Sequence, residues 1–373
     1  MTDAQGPRVV VVGGGVAGLG VAMEAARAGF RVSILDSSHV GDQATTRNQG
    51  WLHSGGVFAL DSPRLAGLCR DCLERTLAFC PECVEPEAGE ALYVFARAQT
   101  DVSAWVAAWQ RLGIATKQID RKQAVARMPV LAESTFDAAH VLPDRSGRPD
   151  VLLAKMQQAA ESHGAEVRNG VAVTELCGGA GRLTSVRLST EEEVPVDFVV
   201  LALGAGEDLA GLDRQPAVGG QPPVEVVRLK NHLVRLKPQL GPAVLCVPDL
   251  HRLNHFPHAS SSTVGIENWK PAGGPHADQV VEESLAKLWE AFRSFFPTVD
   301  PDQYEQQPWA GVTVQAMLPD QVVPGDEPLP VVLDHSTMPA PRENLISVYP
   351  GRMSLWPVIA DRTVALLREK ARR

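Results

Sequence analysis

The chain has 373 residues, 45% hydrophobic and 21% charged, with a formal net charge of −9. This composition is typical of a globular protein with a sizeable core, and the length suggests two domains. The acidic balance argues against nucleic acid and anionic lipid surfaces as partners, and no apolar run reaches the roughly 18 residues of an integral membrane segment. Because the short N-terminus also lacks the order of a signal peptide, the expected location is cytoplasmic.

The first elements of the chain predict a βαβ unit. An apolar run at residues 8–12 predicts a strand, the amphipathic run at 19–28 a helix, and residues 31–35 a second strand that ends at Asp36. An acidic residue at this place accepts hydrogen bonds from ribose hydroxyl groups in dinucleotide-binding proteins.

The loop between the first strand and the helix carries the pattern Gly-x-Gly-x-x-Gly. Gly13 allows the tight turn, Gly15 lets the backbone approach a pyrophosphate, and Gly18 lets helix and strand pack closely. The phosphates would meet the free N–H groups at the start of the helix, near Val16 and Ala17. The pattern therefore predicts a dinucleotide site; the alternative is a glycine loop that only packs a helix.

Two Cys-x-x-Cys pairs follow, at Cys69 and Cys72 and at Cys80 and Cys83, and they resemble a zinc clamp. Their apolar neighbours, however, have helical spacing as far as Pro81. Structural zinc sites usually separate their cysteine pairs by a longer loop. We therefore predict a core helix, with zinc as the alternative.

The middle of the chain alternates helices and strands. The last predicted strand runs into Gly204, in a glycine turn where backbone can touch a ligand. In order, we predict a strand at 91–95, helices at 105–113 and 121–128, a turn at 143–147, a helix at 150–163, and strands at 166–168, 171–176 and 197–203.

Prolines and short β-forming runs mark residues 211–325 as a separate sheet domain. Strands are predicted at 224–229, 233–236, 243–247 and 263–265, and a helix at 277–296. Arg228, Lys230 and His232 alternate along the first of these strands and its continuation and predict a solvated face. A strand at 344–349, a turn at 350–353 and a helix at 359–372 return to the first domain.

This order predicts an α/β fold with two interleaved domains. A Rossmann-like nucleotide-binding domain comprises residues 1–88, 145–210 and 326–373. A mainly antiparallel β-sheet substrate domain, formed by 89–144 and 211–325, is inserted into it.

Residues 44–56, ATTRNQGWLHSGG, resemble a flavin motif of the form T-x-R-N-x-G-x-x-H-S-G. The motif is similar to that of the FAD-dependent D-amino acid oxidase superfamily, in its glycerol-3-phosphate dehydrogenase and L-2-hydroxyglutarate oxidase branch. The similarity continues more loosely at 83–86 and 143–164, fades in the β domain and returns in the C-terminal turn.

The resemblance implies FAD as the cofactor and a set of residues that contact it. The glycine loop would hold the pyrophosphate, residues 45–50 would follow the ribityl chain and one face of the flavin, and the C-terminal turn would close over its pyrimidine side. The implied contacts are Gly13, Gly15, Val16, Ala17, Gly18, Asp36, Thr45, Thr46, Arg47, Asn48, Gln49, Gly50, Val173, Gly204, Gly351, Arg352 and Met353.

Three residues are candidates for catalysis. His53 would lie near the reactive edge of the flavin, and imidazole is a common base because its pKa lies near neutral pH; the alternative is that it only hydrogen-bonds the loop backbone. Arg352 suits a substrate carboxylate, or else only the flavin or a helix end. His255, flanked by His251 and His258, would touch substrate; a metal site or plain packing are the alternatives.

One departure from the family pattern concerns the substrate. Glycerol-3-phosphate dehydrogenases carry an arginine just after the H-x-G of the motif, whereas this chain continues with Gly56, Val57 and Phe58. A phosphate dianion needs charge-assisted hydrogen bonds. The sequence therefore argues against glycerol 3-phosphate and predicts a partly apolar wall.

We predict an enzyme that oxidises a CH–OH bond of a small polar molecule, a hydroxy acid or a polyol, by hydride transfer to flavin N5 with His53 as base. Amine or amino-acid oxidation is the main alternative, followed by a flavin-binding protein without turnover and an NAD(P) enzyme. Oxygen, a quinone or another protein all remain open as the electron acceptor.

Overall fold

The structure is a computed structural model, and it describes residues 6–179, 181–206, 224–273, 278–318 and 327–373. In chain order the strands are β1 (Arg8–Val12), β2 (Arg31–Leu35), β3 (Trp51–Leu52), β4 (Ala91–Phe95), β5 (Lys117–Ile119), β6 (Ala138–Leu142), β7 (Arg145–Ser146), β8 (Glu166–Arg168), β9 (Val173–Gly179), β10 (Arg182–Leu188), β11 (Glu193–Pro195), β12 (Phe198–Leu201), β13 (Glu225–Lys237), β14 (Leu245–Val247), β15 (Leu253–His258), β16 (Ser261–Gly265), β17 (Lys270–Pro271), β18 (Glu305–Met317), β19 (Val331–Asp334) and β20 (Leu345–Tyr349). The helices are α1 (Val16–Arg27), α2 (Pro63–Phe79), α3 (Val102–Arg111), α4 (Arg121–Arg127), α5 (Pro149–Ser162), α6 (Glu282–Phe295) and α7 (Trp356–Ala371).

A parallel sheet forms the first layer, in the order β19-β20-β12-β1-β2-β8. All neighbours in it are parallel except β19 and β20. Side chains of β1 alternate between two cores: Val9 and Val11 pack with α1, α5 and α7, whereas Val10 and Val12 pack on the β9–β10 side. Since β1 has β2 on one side and β12 on the other, a crevice opens at its carboxyl end, where open α/β sheets bind ligands.

Helix α1 begins at Val16, with Gly15 at its N-cap, so the predicted start at residue 19 was three residues late. Gly18 lies in the first turn, and a Cβ atom there would stand 1.8 Å from the carbonyl oxygen of Gly13. The glycine motif is therefore part of the helix and not only of the loop before it.

The cap sheet has the order β17-β13-β16-β15-β14-β4-β6-β5, with β18 also paired to β13. Its pairs are antiparallel except β14 with β4. Helix α6 covers one face through Leu288, Phe292 and Phe295. The predicted α/β class, with a Rossmann-like sheet and a mainly antiparallel second sheet, is confirmed.

Strand β13 is continuous and pairs with β18 along its whole length, so the predicted break between residues 229 and 233 was wrong. The prediction that this face is exposed to solvent was also wrong at Lys230 and His232, which are buried. Lys230 Nζ donates to the Gln279 carbonyl at 2.9 Å, and His232 Nε2 accepts from the Val281 amide at 3.0 Å. These bonds satisfy polar atoms that the sequence had suggested were in water.

The predicted domain division stays a prediction. The strands of the parallel sheet come from 1–88, 145–210 and 326–373, and those of the cap sheet from 89–144 and 211–325. Strands β9–β11 form a separate three-stranded sheet, and β3 pairs with β7. The boundaries near 210 and 325, and the predicted start of the α6 helix at 277, lie outside the described residues.

Helix α2 confirms the predicted core helix at the first cysteine pair. Cys69 and Cys72 are buried free thiols on its inner face. Burial raises the pKa of Cys69 to about 12 and that of Cys72 to about 11. Over the described ranges, no helix is long and apolar enough to cross a membrane.

Candidate active site

A cavity of about 830 Å³ opens at the carboxyl end of β1 and runs to the cap sheet. Its walls come from the glycine loop, the 41–49 loop, residues 171–174, the 202–206 turn, the 350–353 turn and the inner face of the cap strands. The nucleotide loop and the candidate catalytic residues His53 and Arg352 thus share one continuous cavity.

The glycine loop provides the cradle that a dinucleotide requires. Gly13 has φ +107°, and a Cβ atom there would stand 2.4 Å from the carbonyl oxygen of Ala202, so the position needs glycine. Gly13, Gly15, Val16 and Ala17 line the cavity. The start of α1 therefore faces the cavity with first-turn N–H groups that lack helical partners, and these suit a pyrophosphate.

Gly18 is absent from the cavity lining among the described residues. Its predicted contact with the pyrophosphate is therefore not supported, because its small size serves the packing of helix on loop. This packing is the role that the fingerprint gives to the third glycine.

Asp36 braces the glycine loop from the second strand. Its Oδ2 accepts from the Gly14 amide at 2.6 Å, and its Oδ1 accepts from the Ser38 amide at 2.9 Å. Asp36 also lines the cavity, as do Val173 and Gly204. Since a carboxylate oxygen can accept more than one hydrogen bond, these contacts leave capacity for ribose hydroxyl groups.

The 41–50 loop is tied to α1 and to itself. Thr45 Oγ1 accepts from the Val16 amide at 3.1 Å. Asn48 donates from Nδ2 to the Thr45 carbonyl at 2.6 Å and accepts at Oδ1 from the Gly50 amide at 2.7 Å. Thr45, Asn48 and their neighbours Arg47 and Gln49 line the cavity, and their contact with FAD stays a prediction.

Thr46 and Gly50, also predicted to contact FAD, lie outside the lining. The Thr46 hydroxyl donates to the Gly41 carbonyl inside the loop. Gly50 has φ +75°, and a Cβ atom there would stand 2.5 Å from the Gly147 carbonyl oxygen. Both residues therefore shape the loop from behind.

His53 lies in the cavity wall between two aromatic rings. Its imidazole stacks on Trp51 with centroids 4.3 Å apart and planes at 22°, and it packs on Phe58 at 5.1 Å. Nδ1 is buried and has no hydrogen-bond partner among the described residues. Burial, followed by the charges of Arg352 and Arg252, lowers the pKa of His53 well below its ordinary value. The imidazole is therefore neutral at pH 7 and has a lone pair to accept a proton.

Two arginines from distant parts of the chain meet at Phe58. The guanidinium carbon of Arg352 lies 4.5 Å from the ring centroid, and that of Arg252 lies 5.5 Å from it. Glu327 joins the two, with Oε2 at 2.7 Å from Arg352 Nη2 and Oε1 at 3.2 Å from Arg252 Nη1. Nη1 of Arg352 is buried, and no described residue accepts from it. The chain lacks an arginine directly after the H-x-G of the flavin motif, but the tertiary structure brings Arg252 and Arg352 to this place.

His255 is not brought to the cavity, which corrects its prediction as a substrate contact. Its Nδ1 donates to the Ala243 carbonyl at 2.9 Å, and its Nε2 accepts from the Ser262 hydroxyl at 2.7 Å. Both ring nitrogens are therefore used inside the cap sheet. In the described part of the chain, no His, Cys, Asp or Glu group is arranged to hold a metal ion.

Gly351, Arg352 and Met353 also line the cavity, and their contact with FAD stays a prediction. Sequence reasoning missed several other lining residues, of which Asp42, Arg252 and Glu267 carry charge. Arg252 lies beside the predicted histidines, but its φ of +48° places it in a left-handed turn that no local pattern indicates. The remaining lining residues missed from the cap sheet include Asn231, Leu233, Asn254, Ile266 and Trp269.

Comparisons with known proteins agree with this geometry. A family model described as FAD dependent oxidoreductase (DAO) matches residues 8–348. One subunit of the anaerobic glycerol-3-phosphate dehydrogenase of Escherichia coli (strain K12) is 29% identical over 186 residues, which cover 50% of this chain and 34% of that protein. The match thus spans about a third of this relative's length.

Two solved structures share the fold. Glycine oxidase from Geobacillus kaustophilus has a TM-score of 0.75 at 19% identity, over 97% of this chain and 95% of that chain. The glycerol-3-phosphate dehydrogenase from Bacillus halodurans complexed with FAD has a TM-score of 0.67 at 16% identity, over 98% of this chain and 65% of that chain. At these identities the likeness establishes the fold alone.

Proposed function

This chain belongs to the FAD-dependent oxidoreductase family, and from that premise we propose that it oxidises the CH–OH bond of a small hydroxy acid. The observation that carries the proposal is the neutral His53 imidazole in the same cavity as Arg352, whose Nη1 has no acceptor within the described part of the chain. The family sets aside the NAD(P) alternative, and with the dehydrogenase relatives it supports an enzyme over a flavin-binding protein without turnover.

FAD, when bound, supplies the acceptor for the hydride that leaves the substrate carbon. The glycine loop would hold its pyrophosphate, residues 45 and 47–49 its ribityl chain, and the 351–353 turn its flavin end. These three segments already line one cavity, and the glycine loop there has a conformation that requires glycine at Gly13, so the residues present fit the cofactor.

Arg352 would bind the substrate carboxylate through Nη1, the buried donor that no described residue engages, because a guanidinium forms charge-assisted hydrogen bonds with a carboxylate. The charges around it favour one carboxylate over a phosphate dianion. Arg352 and Arg252 are already paired with Glu327 and Glu267, and Asp61 lies 3.4 Å from Arg252. The carboxylates therefore already balance the two guanidinium charges, which supports a singly charged 2-hydroxy acid over the dianionic glycerol 3-phosphate.

His53 would accept the hydroxyl proton. Burial, followed by the charges of Arg352 and Arg252, lowers the pKa of His53 and makes it a weak base before substrate binds. A bound carboxylate offsets their charge and raises the pKa of His53, since an opposite charge nearby favours the protonated form of a histidine. Substrate binding would in this way increase the strength of the base.

Anaerobic mixing of the FAD-loaded protein with candidate substrates tests the proposal. The visible flavin band should bleach with a 2-hydroxy acid and not with glycerol 3-phosphate or amino acids. His53→Gln should slow bleaching by roughly 10²- to 10⁴-fold, the usual contribution of a positioned base. His140→Gln is the matched control, since His140 is also buried with a lowered pKa but lies outside the cavity lining. Bleaching by amines alone would overturn the hydroxy-acid assignment.

Oxidation of an amine or amino acid is the second candidate. Glu267 favours it, because this carboxylate lines the cavity beside Arg252 and would suit a substrate ammonium group. The variant Glu267→Gln distinguishes amino-acid oxidation from hydroxy-acid oxidation. It should weaken the binding of an amino acid and leave a hydroxy acid largely unaffected.

A further inference from the structure

Asp144 is a buried carboxylate held by donors from three side chains and one backbone amide. It lies in the turn between β6 and β7 and is fully shielded from solvent. Its Oδ1 accepts from Trp51 Nε1 at 2.8 Å and from the Ser54 amide at 3.0 Å, and its Oδ2 accepts from the Ser54 and Tyr93 hydroxyls. A buried carboxylate is costly without such partners, so its place behind the cavity wall calls for a role.

Two of these donors flank His53 in the chain. Ser54 follows it directly, and the Trp51 indole lies against its imidazole face. The hydrogen bond from Nε1 to Asp144 fixes the plane of the indole, and the stack then fixes the plane of the imidazole. Strand β3, which carries Trp51, also pairs with β7, which begins directly after Asp144.

His53 has no hydrogen bond that would set its own orientation within the described residues. Functional histidines usually have one ring nitrogen held by a carbonyl or carboxylate. Here the carboxylate is present but reaches the ring through an indole. The structure therefore assigns Asp144 as a positioning residue for His53, acting through Trp51 and Ser54.

This assignment rests on the proposed role of His53 as the base. It concerns geometry and not charge, because the charges that shift the pKa of His53 come from Arg352 and Arg252. Displacement of a reacting group by about 1 Å can cost roughly 100-fold in rate. A loss of orientation should consequently lower kcat and leave KM nearly unchanged.

Asp144→Ala and Asp144→Asn provide the test in the FAD-loaded protein. Asparagine keeps an oxygen for Trp51 and the Ser54 amide, and its NH₂ group can donate to the two hydroxyls, which can turn to accept. We expect Asp144→Ala to lower kcat by roughly 10- to 100-fold with KM within threefold, and Asp144→Asn to restore kcat to within about threefold. The His53 ring proton resonance, shifted by the stacked indole, should move in the alanine variant and return in the asparagine variant.

If Asp144→Ala does not fold, Trp51→Phe tests the same bond. It removes the Nε1 donor and keeps an aromatic face, so kcat should fall as for the alanine variant. Tyr93→Phe is the matched control: it removes another donor to the same carboxylate, and its ring packs on Trp109. An Asp144→Ala variant that folds and keeps both kcat and the resonance would overturn the assignment, as would equal losses in Trp51→Phe and Tyr93→Phe. Full activity in His53→Gln would instead refute the role of His53 as the base. The His53 ring proton resonance in the Asp144 variants would still test whether Asp144 positions the imidazole.

Discussion

Replacement of His255 by glutamine should remove one defined part of the acid sensitivity of this protein's stability and leave its chemistry intact. The Ala243 carbonyl can only accept, so Nδ1 carries the proton and Nε2 carries a lone pair. Nε2 accepts from the Ser262 hydroxyl, which itself accepts from the Leu240 amide at 2.8 Å. Protonation of Nε2 would deprive the Ser262 hydrogen of its acceptor inside a closed network.

The magnitude follows from the pKa. Burial, with a smaller effect of His258, lowers the pKa of His255 from 6.5 to about 4, although the bond to Ala243 acts in the opposite direction. Between these pH values the unfolded chain binds a proton that the folded chain does not, so the free energy of unfolding decreases as pH falls through this window. At roughly 1.4 kcal/mol per tenfold change in proton affinity, the loss is about 3 kcal/mol.

Urea unfolding at saturating FAD, from pH 7 to pH 4, checks this value. Glutamine can donate to Ala243 and accept from Ser262 but cannot ionise. The difference between wild type and His255→Gln isolates this residue from other buried groups, provided that the two proteins differ only there. Parallel pH profiles for the two proteins would refute the reasoning. Slower flavin reduction by fully folded His255→Gln would indicate that His255 takes part in the reaction after all.

Three further predictions concern the cavity and the thiols. Arg352→Gln should raise KM for a hydroxy acid by roughly 10- to 100-fold, since a hydrogen bond to a charged group contributes about 1.5–3 kcal/mol. The acid limb of its kcat/KM profile should also move to higher pH, because loss of the positive charge raises the pKa of His53. An acid limb at the wild-type pH would contradict the proposed coupling between Arg352 and His53. Gly18→Ala should weaken FAD binding by roughly tenfold or more in a fluorescence titration, because overpacking costs about 1–3 kcal/mol. Gly67→Ala should bind FAD normally, because the added carbon would meet no described atom within 4 Å beyond its chain neighbours and its own helix backbone. Of the six cysteines, Cys177 should react first with iodoacetamide in mass spectra of the native protein, because the others are buried; faster labelling of a buried thiol would show that the core opens locally.

The sequence predicted those elements whose signals are local. Strands β1, β2, β4 and β8 have the predicted bounds, and the glycine loop lies where its spacing indicated. Long-range pairing decided other elements. Strand β18 contains Gln306, Gln307 and Pro308, a poor strand signal, yet it is held along its full length by β13. No local pattern could report that pairing.

The sequence by itself determined the family, the cofactor and the loop that carries His53, because glycine geometry and motif spacing act over a few residues. Tertiary structure decided what surrounds His53. Arg252 and Arg352 are far apart in the chain and meet only because the cap sheet and the C-terminal turn close on the same ring. The alternation of side chains along β15 decided which residue meets the cavity. Asn254 lines the cavity, whereas the next residue, His255, is held by Ala243 and Ser262. Successive side chains on a strand point to opposite faces, and only the folded sheet shows which face meets the cavity.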